Sequence, residues 1–301
     1  LGDFENAEIL ATPDGTPWGD SALLCTPRAL LKFARFVMNH GMWEGEQLLS
    51  EQYLIEATSC RTTNNEDGAS NYNSHGYGYQ IWMDENGYSF HGMGGQFAIC
   101  VPEKDFIFVC TGDTQHQKQH VQPALYRAVY DELAGCFDGG SAPEGPAFPD
   151  ALFTAHGKAE SPFAEKINGV TFRCEKNPMG ITQFRFTFNG DEGMLEYVNE
   201  QGEKQLPFGL KKNLFVKFPQ YGYSDDRGNV HEITDFRYNC AASAGWMEEK
   251  KLQLRVQIID RYFGSTIMTF GFVDEKTAGV RMIKSAEDFL SEYEGWMIAQ
   301  A

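Results

Sequence analysis

No apolar run in this 301-residue chain approaches the ~20 residues a membrane-spanning helix needs. The opening stretch, LGDFENAEIL, lacks the basic and apolar segments of a signal peptide. Positive charge is scarce: 25 Lys and Arg stand against 42 Asp and Glu, a net charge of −17. A field of that sign repels phosphate backbones, so neither nucleic acid nor a membrane is expected as a partner. GxGxxG and P-loop patterns are absent, so nucleotide binding has no signature and no cofactor is expected. There is also no CxxC. The cysteines, at 25, 60, 100, 110, 136, 174 and 240, are odd in number, and Cys100 and Cys110 lie in apolar runs where Cys acts as a small hydrophobe. They read as reduced thiols, which predicts a cytoplasmic location rather than a disulfide framework. No metal site is expected either. His116 and His120 stand at a spacing that would let a helix share a metal between them, but Gln117-Lys118-Gln119 brings no carboxylate, and no third ligand is evident. They read as a solvated helix start.

What is present is a globular composition, 42% apolar and 22% charged, with room for about two domains. The Gly- and Pro-rich stretch 138–150 (DGGSAPEGPAFPD) reads as a linker between residues 1–137 and 151–301. The first part mixes helices and strands. Thr26-Pro27 is an N-cap followed by proline, apolar residues recur at helical spacing to Met38, and Gly41 stops the helix, predicting a helix over 26–40. Ser50 caps a second short helix carrying Tyr53, Leu54 and Ala57. Runs 77–83, 96–101 and 106–111 read as strands of one antiparallel sheet, the last two joined by the PEKD turn, and a helix over 120–134 follows. The second part is nearly all strand. Phe184, Phe186 and Phe188 alternate with polar residues up to the turn Asn189-Gly190, and Leu252, Leu254, Val256 and Ile258 alternate again. Further strand-like runs are 168–174, 194–198, 213–218, 231–239, 265–272 and 279–283, with a short helix over 285–293. This pattern predicts an antiparallel barrel or sandwich with the phenylalanines as packed core.

Three blocks of the first part carry a resemblance. GDSALLCTPRALLKFARFVMNHGMWEGEQLL (19–49), HGYGYQIWM (75–83) and FHGMGGQFAICVPEKDFIFVCTGDT (90–114) occur in the order and spacing of the carboxyl half of the serine β-lactamase and penicillin-binding-protein-like hydrolases. Residues 9–135 resemble that family. The second part is similar to the β-rich domain often appended to such hydrolases in bacteria, through ASAGW and LQLRVQIIDRYFG within 242–264. The fold implied is α+β: a partial β-lactamase/transpeptidase-like antiparallel sheet with helices over 1–137, then a lipocalin-like antiparallel barrel over 151–301.

The resemblance implies acyl transfer on a small amide, ester or peptide substrate. In such chemistry a serine attacks the carbonyl, a lysine and a tyrosine handle its proton, and two fixed backbone N–H groups hold the oxyanion. The third motif would lie in His91-Gly92-Met93-Gly94, with the oxyanion donor on Met93 in one register and on Gly94 in the other. The family's Ser-x-x-Lys is missing throughout, and so is GxSxG. The sole Tyr-x-Asn, Tyr197-Val198-Asn199, follows the third motif and reads as a strand running into a turn. The expectation is that the chain starts downstream of the nucleophile and is inactive alone. A second copy of the chain, or the β-rich domain, would then cover the exposed sheet, and the expected protein partners are that second copy or a missing amino-terminal half. The alternative is a non-catalytic ligand-binding or interaction module built on the barrel.

Overall fold

The computed structural model describes residues 7–12, 14–19, 21–63, 75–92, 95–112, 121–136, 152–220, 237–260, 263–286 and 290–301. The chain divides into two compact units, Leu1–Pro146 and Ala147–Ala301.

The first unit opens with a short pair, β1 (Glu8–Ile9) and β2 (Leu23–Leu24). Helix α1 (Pro27–Met38) follows, its N-terminus capped by Thr26, whose Oγ1 accepts the Ala29 N–H at 3.1 Å. The helix ends where Gly41, at φ +86°, donates its N–H to the Phe36 carbonyl at 3.0 Å. A two-residue ribbon, β3 (Met42–Trp43) and β4 (Glu46–Gln47), leads to α2 (Glu51–Ala57), capped by Ser50. The main sheet has four antiparallel strands in sequence order: β5 (Trp82–Asp84), β6 (Gly87–Gly92), β7 (Gln96–Val101) and β8 (Phe106–Thr111).

The period of two along these strands sorts the sheet's side chains onto two faces. Phe90, Ala98 and Val109 fall on one face and pack with Phe33, Phe36 and Val37 of α1 and Leu54 of α2. Phe97, Ile99 and Phe108 fall on the other and pack with Tyr126 and Val129. Those two residues come from α3 (Val121–Arg127) and the π-helical continuation Ala128–Leu133. The sheet is thus held between two helices. Arg35 of α1 also pairs with Asp105 in the β7–β8 turn.

Strands 96–101 and 106–111 stand where their apolar runs place them. The run 77–83 does not form one strand. Gln80 takes φ +61°, the Gly78 N–H turns back to the Ile81 carbonyl at 2.7 Å, and regular pairing starts only at Trp82. The sheet's remaining strand, β6, is the segment Gly87–Gly92.

The second unit is a closed ring of nine strands. After α4 (Ala164–Ile167) come β9 (Thr171–Cys174), β10 (Gln183–Asn189), β11 (Glu192–Asn199) and β12 (Gly202–Leu210). β13 (Leu214–Lys217) lies on the edge of β14 (Asn239–Glu248), which is followed by β15 (Lys251–Ile259), β16 (Phe263–Phe272), β17 (Thr277–Ser285) and β18 (Gly295–Gln300). Neighbours pair antiparallel. Two contacts close the ring: β18 on β9, and β12 on β14, the latter parallel through Gly209↔Ser243 and Leu210↔Ala244.

The expected strand 231–239 lies mostly outside the described residues, and the pairing strand is 239–248. Cys240–Trp246 are all buried, so no inside–outside alternation marks them. The outer face of β14 is covered by 152–158, where Lys158 and Trp246 exchange backbone hydrogen bonds at 2.8 Å and Ser243 Oγ accepts the Ala155 N–H at 2.9 Å. The expected helix over 285–293 is instead the end of β17 and, past 287–289 outside the described residues, a single 3-10 turn at Ser291–Tyr293.

Candidate functional site

His91 and Gly92 are the last two residues of β6, paired with Phe97 and Gln96 of β7. The His91 ring stacks on Phe97 at 4.7 Å and lies 5.8 Å from the Trp82 ring. Burial pushes its pKa below the usual histidine value, so the imidazole is neutral at pH 7. Gly92 is a point of close approach: a Cβ there would stand 2.8 Å from Gln96 Oε1. That amide is itself engaged, donating to the Gly112 carbonyl at 3.0 Å and so tying β7 to the end of β8. Met93 and Gly94, the two alternatives for the oxyanion donor, lie outside the described residues, as do His116 and His120. Among the described residues, no group of three or more His, Cys, Asp and Glu is placed to hold a metal.

Two side chains that the sequence reading passed over underpin this strand. Ser89, on the same face of β6 as His91, shares a 2.7 Å hydrogen bond with Tyr126. Asp84 of β5 is only 6% exposed, and its Oδ2 accepts the Tyr130 hydroxyl at 2.8 Å. Both links run between the sheet and the helix over 121–133. A polar residue in a strand is ordinary in sequence, and only the fold places these four together.

In the barrel, aromatic rings facing the axis touch one another. Phe186 lies 4.8 Å from Phe270 and 6.1 Å from Phe208, Phe184 lies 5.1 Å from Phe172 and from Phe270, and Phe188 lies 5.9 Å from Trp246. Toward one end the interior turns polar. Tyr197 and Tyr293 share a 2.7 Å hydrogen bond, and Gln220 Oε1 accepts from Tyr293 at 3.0 Å and from Asn199 at 3.1 Å. Lys204 and Lys284 are buried in the same unit, bonded to Gln201 and Ser291. Tyr197 of the lone Tyr-x-Asn is therefore a barrel residue, hydrogen-bonded to Tyr293, whose pKa burial raises strongly.

No family model matches the chain, and no curated protein matches it. Solved structures with a similar course include a fatty-acid-binding protein from brain tissue of Drosophila melanogaster, at 11% identity, TM-score 0.29, covering 45% of this chain and 99% of that one. The fatty-acid-binding protein of Manduca sexta has 9% identity with the same TM-score and coverage. An octameric penicillin-binding protein homologue from Pyrococcus abyssi is 14% identical at TM-score 0.24, and its likeness covers 97% of this chain and 52% of that one. TM-scores this low leave function to be read from the chain's own residues.

Proposed function

We propose that the first unit is the carboxyl half of a β-lactamase-related serine hydrolase domain, carrying the third-motif strand, with the barrel as an accessory domain. The observation that carries this reading is one of placement. α1, the main helix of the first resembling block, packs on the sheet in which β6, β7 and β8, the strands reached by the third block, pair in order, with His91-Gly92 at the end of β6. A strand end that must let a carbonyl approach needs small residues, and Gly92, Gly94 and Gly95 supply them. The chemistry is acyl transfer on a small amide, ester or peptide. The role of this chain is to present an oxyanion donor, since its 301 residues hold no Ser-x-x-Lys. The odd number of cysteines and the lack of a CxxC fit a reducing compartment. The contact of the barrel's rings favours a packed core over a ligand-binding cavity.

The chain alone is expected to hydrolyse neither nitrocefin nor p-nitrophenyl esters above background and to resist fluorophosphonate labelling. Supplied with a half that carries Ser-x-x-Lys and Tyr-x-Asn, it should turn over, and His91→Ala should lower kcat. A labelled serine in the chain alone, or unchanged kcat in that variant, would overturn the reading.

A further inference from the structure

The carboxyl of Asp84 is sunk between the sheet and the helix over 121–133, and only one of its oxygens is satisfied. Oδ2 accepts the Tyr130 hydroxyl at 2.8 Å, whereas Oδ1 has no hydrogen-bond partner among the described residues. A buried carboxylate is stable only when several donors or a cation replace its water. The groups facing it are nearly all neutral. They are Tyr130 from the helix and Ser89 from β6, whose hydrogen bonding favours the ionised form, and Cys100 of β7, which is bonded to Tyr88. His75, from the segment before β5, is the one group whose charge favours the ionised form, and it is the weakest influence. Burial outweighs all of these and raises the carboxyl to about 7, while Tyr130, Tyr88 and Cys100 are pushed well above their own usual values and stay protonated.

We propose that Asp84 is a proton-operated latch: as the neutral acid it stays buried between β5 and the helix over 121–133, and its ionisation puts a charge there with no donor on Oδ1 among the described residues, which favours opening that interface to water even though the Tyr130 bond itself tightens. Because Ser89 and His91 stand two residues apart on β6, the latch also sets how firmly that strand end is held. The device does not depend on the hydrolase reading, because it requires only the packing of this unit.

The sign follows from linkage. A carboxyl that keeps its proton longer when folded than its ordinary value of 3.8 adds stability at low pH, and that stability is lost as pH rises from about 4 through about 7. The test compares urea unfolding of the wild type and Asp84→Asn, an isostere that cannot ionise, from pH 5 to pH 8. The unfolding constant of the wild type, relative to the variant, should rise about tenfold per pH unit and level off above about 7. Parallel curves would overturn the proposal. Carbon NMR of carboxyl-labelled aspartate keeps it falsifiable should that variant not fold. One carboxyl should titrate near neutrality, and Tyr130→Phe, which removes the stronger of the two hydrogen-bond donors favouring the ionised form, should move it higher. A set of aspartates all titrating in the ordinary range, or a midpoint unmoved by Tyr130→Phe, would sink it.

Discussion

Gly245 and Gly157 sit back to back where residues 152–158 cross the outer face of β14. A Cβ on Gly245 would run into the His156 carbonyl, and one on Gly157 into the Trp246 carbonyl. Both obstacles are backbone and cannot rotate away. Gly245→Ala should therefore cost about 1–3 kcal/mol or more, seen as a lower urea midpoint with an unchanged slope. At Gly157, where φ is +109°, backbone strain adds to the clash. The phenylalanines of the axis act by the opposite mechanism. Phe186 touches three rings besides Phe184, so Phe186→Ala opens a void the neighbours cannot all collapse into, with an expected loss of about 3–5 kcal/mol in the same measurement. At this scale much was readable in advance. The alternation Phe184, Phe186, Phe188 announced an inward face, and Thr26-Pro27 announced a helix start. The partnership of Asp84 with Tyr130 was not readable, because it joins positions on different elements whose spacing follows no local period.

Among the elements, legibility tracked how many faces each one buries. β7 and β8 are short apolar runs bounded by Pro102-Glu103-Lys104-Asp105, and their ends agree with the sequence to the residue. β6 was hidden because Tyr88-Ser89-Phe90-His91 reads equally as the approach to a motif loop, and its pairing with β5 shows only in three dimensions. Over 77–83 the aromatic content outvoted Gly78, which packs against the Ala57 carbonyl and bends the chain there. β14 escaped because both its faces are covered. The candidate site was legible only as a segment, 91–94, half of which lies outside the described residues. The link between β6 and α3 can be weighed directly. A double-mutant cycle over Ser89→Ala and Tyr126→Phe should give a coupling of about 1 kcal/mol, since the two buried hydroxyls share one hydrogen bond that either change removes. Amides over 121–133 should exchange faster in either single variant, and additive effects would show that the two hydroxyls do not act as a pair.

For the whole molecule, every pairing that closes the ring lies between Thr171 and Gln300, so residues 152–301 should fold when expressed without the first unit. Far-ultraviolet circular dichroism typical of β-structure and a single cooperative urea transition would check this, and an aggregated or unstructured product would refute it. The ring also imposes an order on synthesis. The strand that completes it, β18, pairs with β9 as well as β17, so Ala299 must reach Cys174 across nearly the whole unit. While a ribosome is still adding residues before 295, β9 and β17 each present an open edge, and nothing later in the nascent chain is yet there to cover them. Exposure of this unit to wrong partners therefore lasts until β18 is available to pair. A version of this unit cut before Gly295 should therefore aggregate or bind chaperones where residues 152–301 do not.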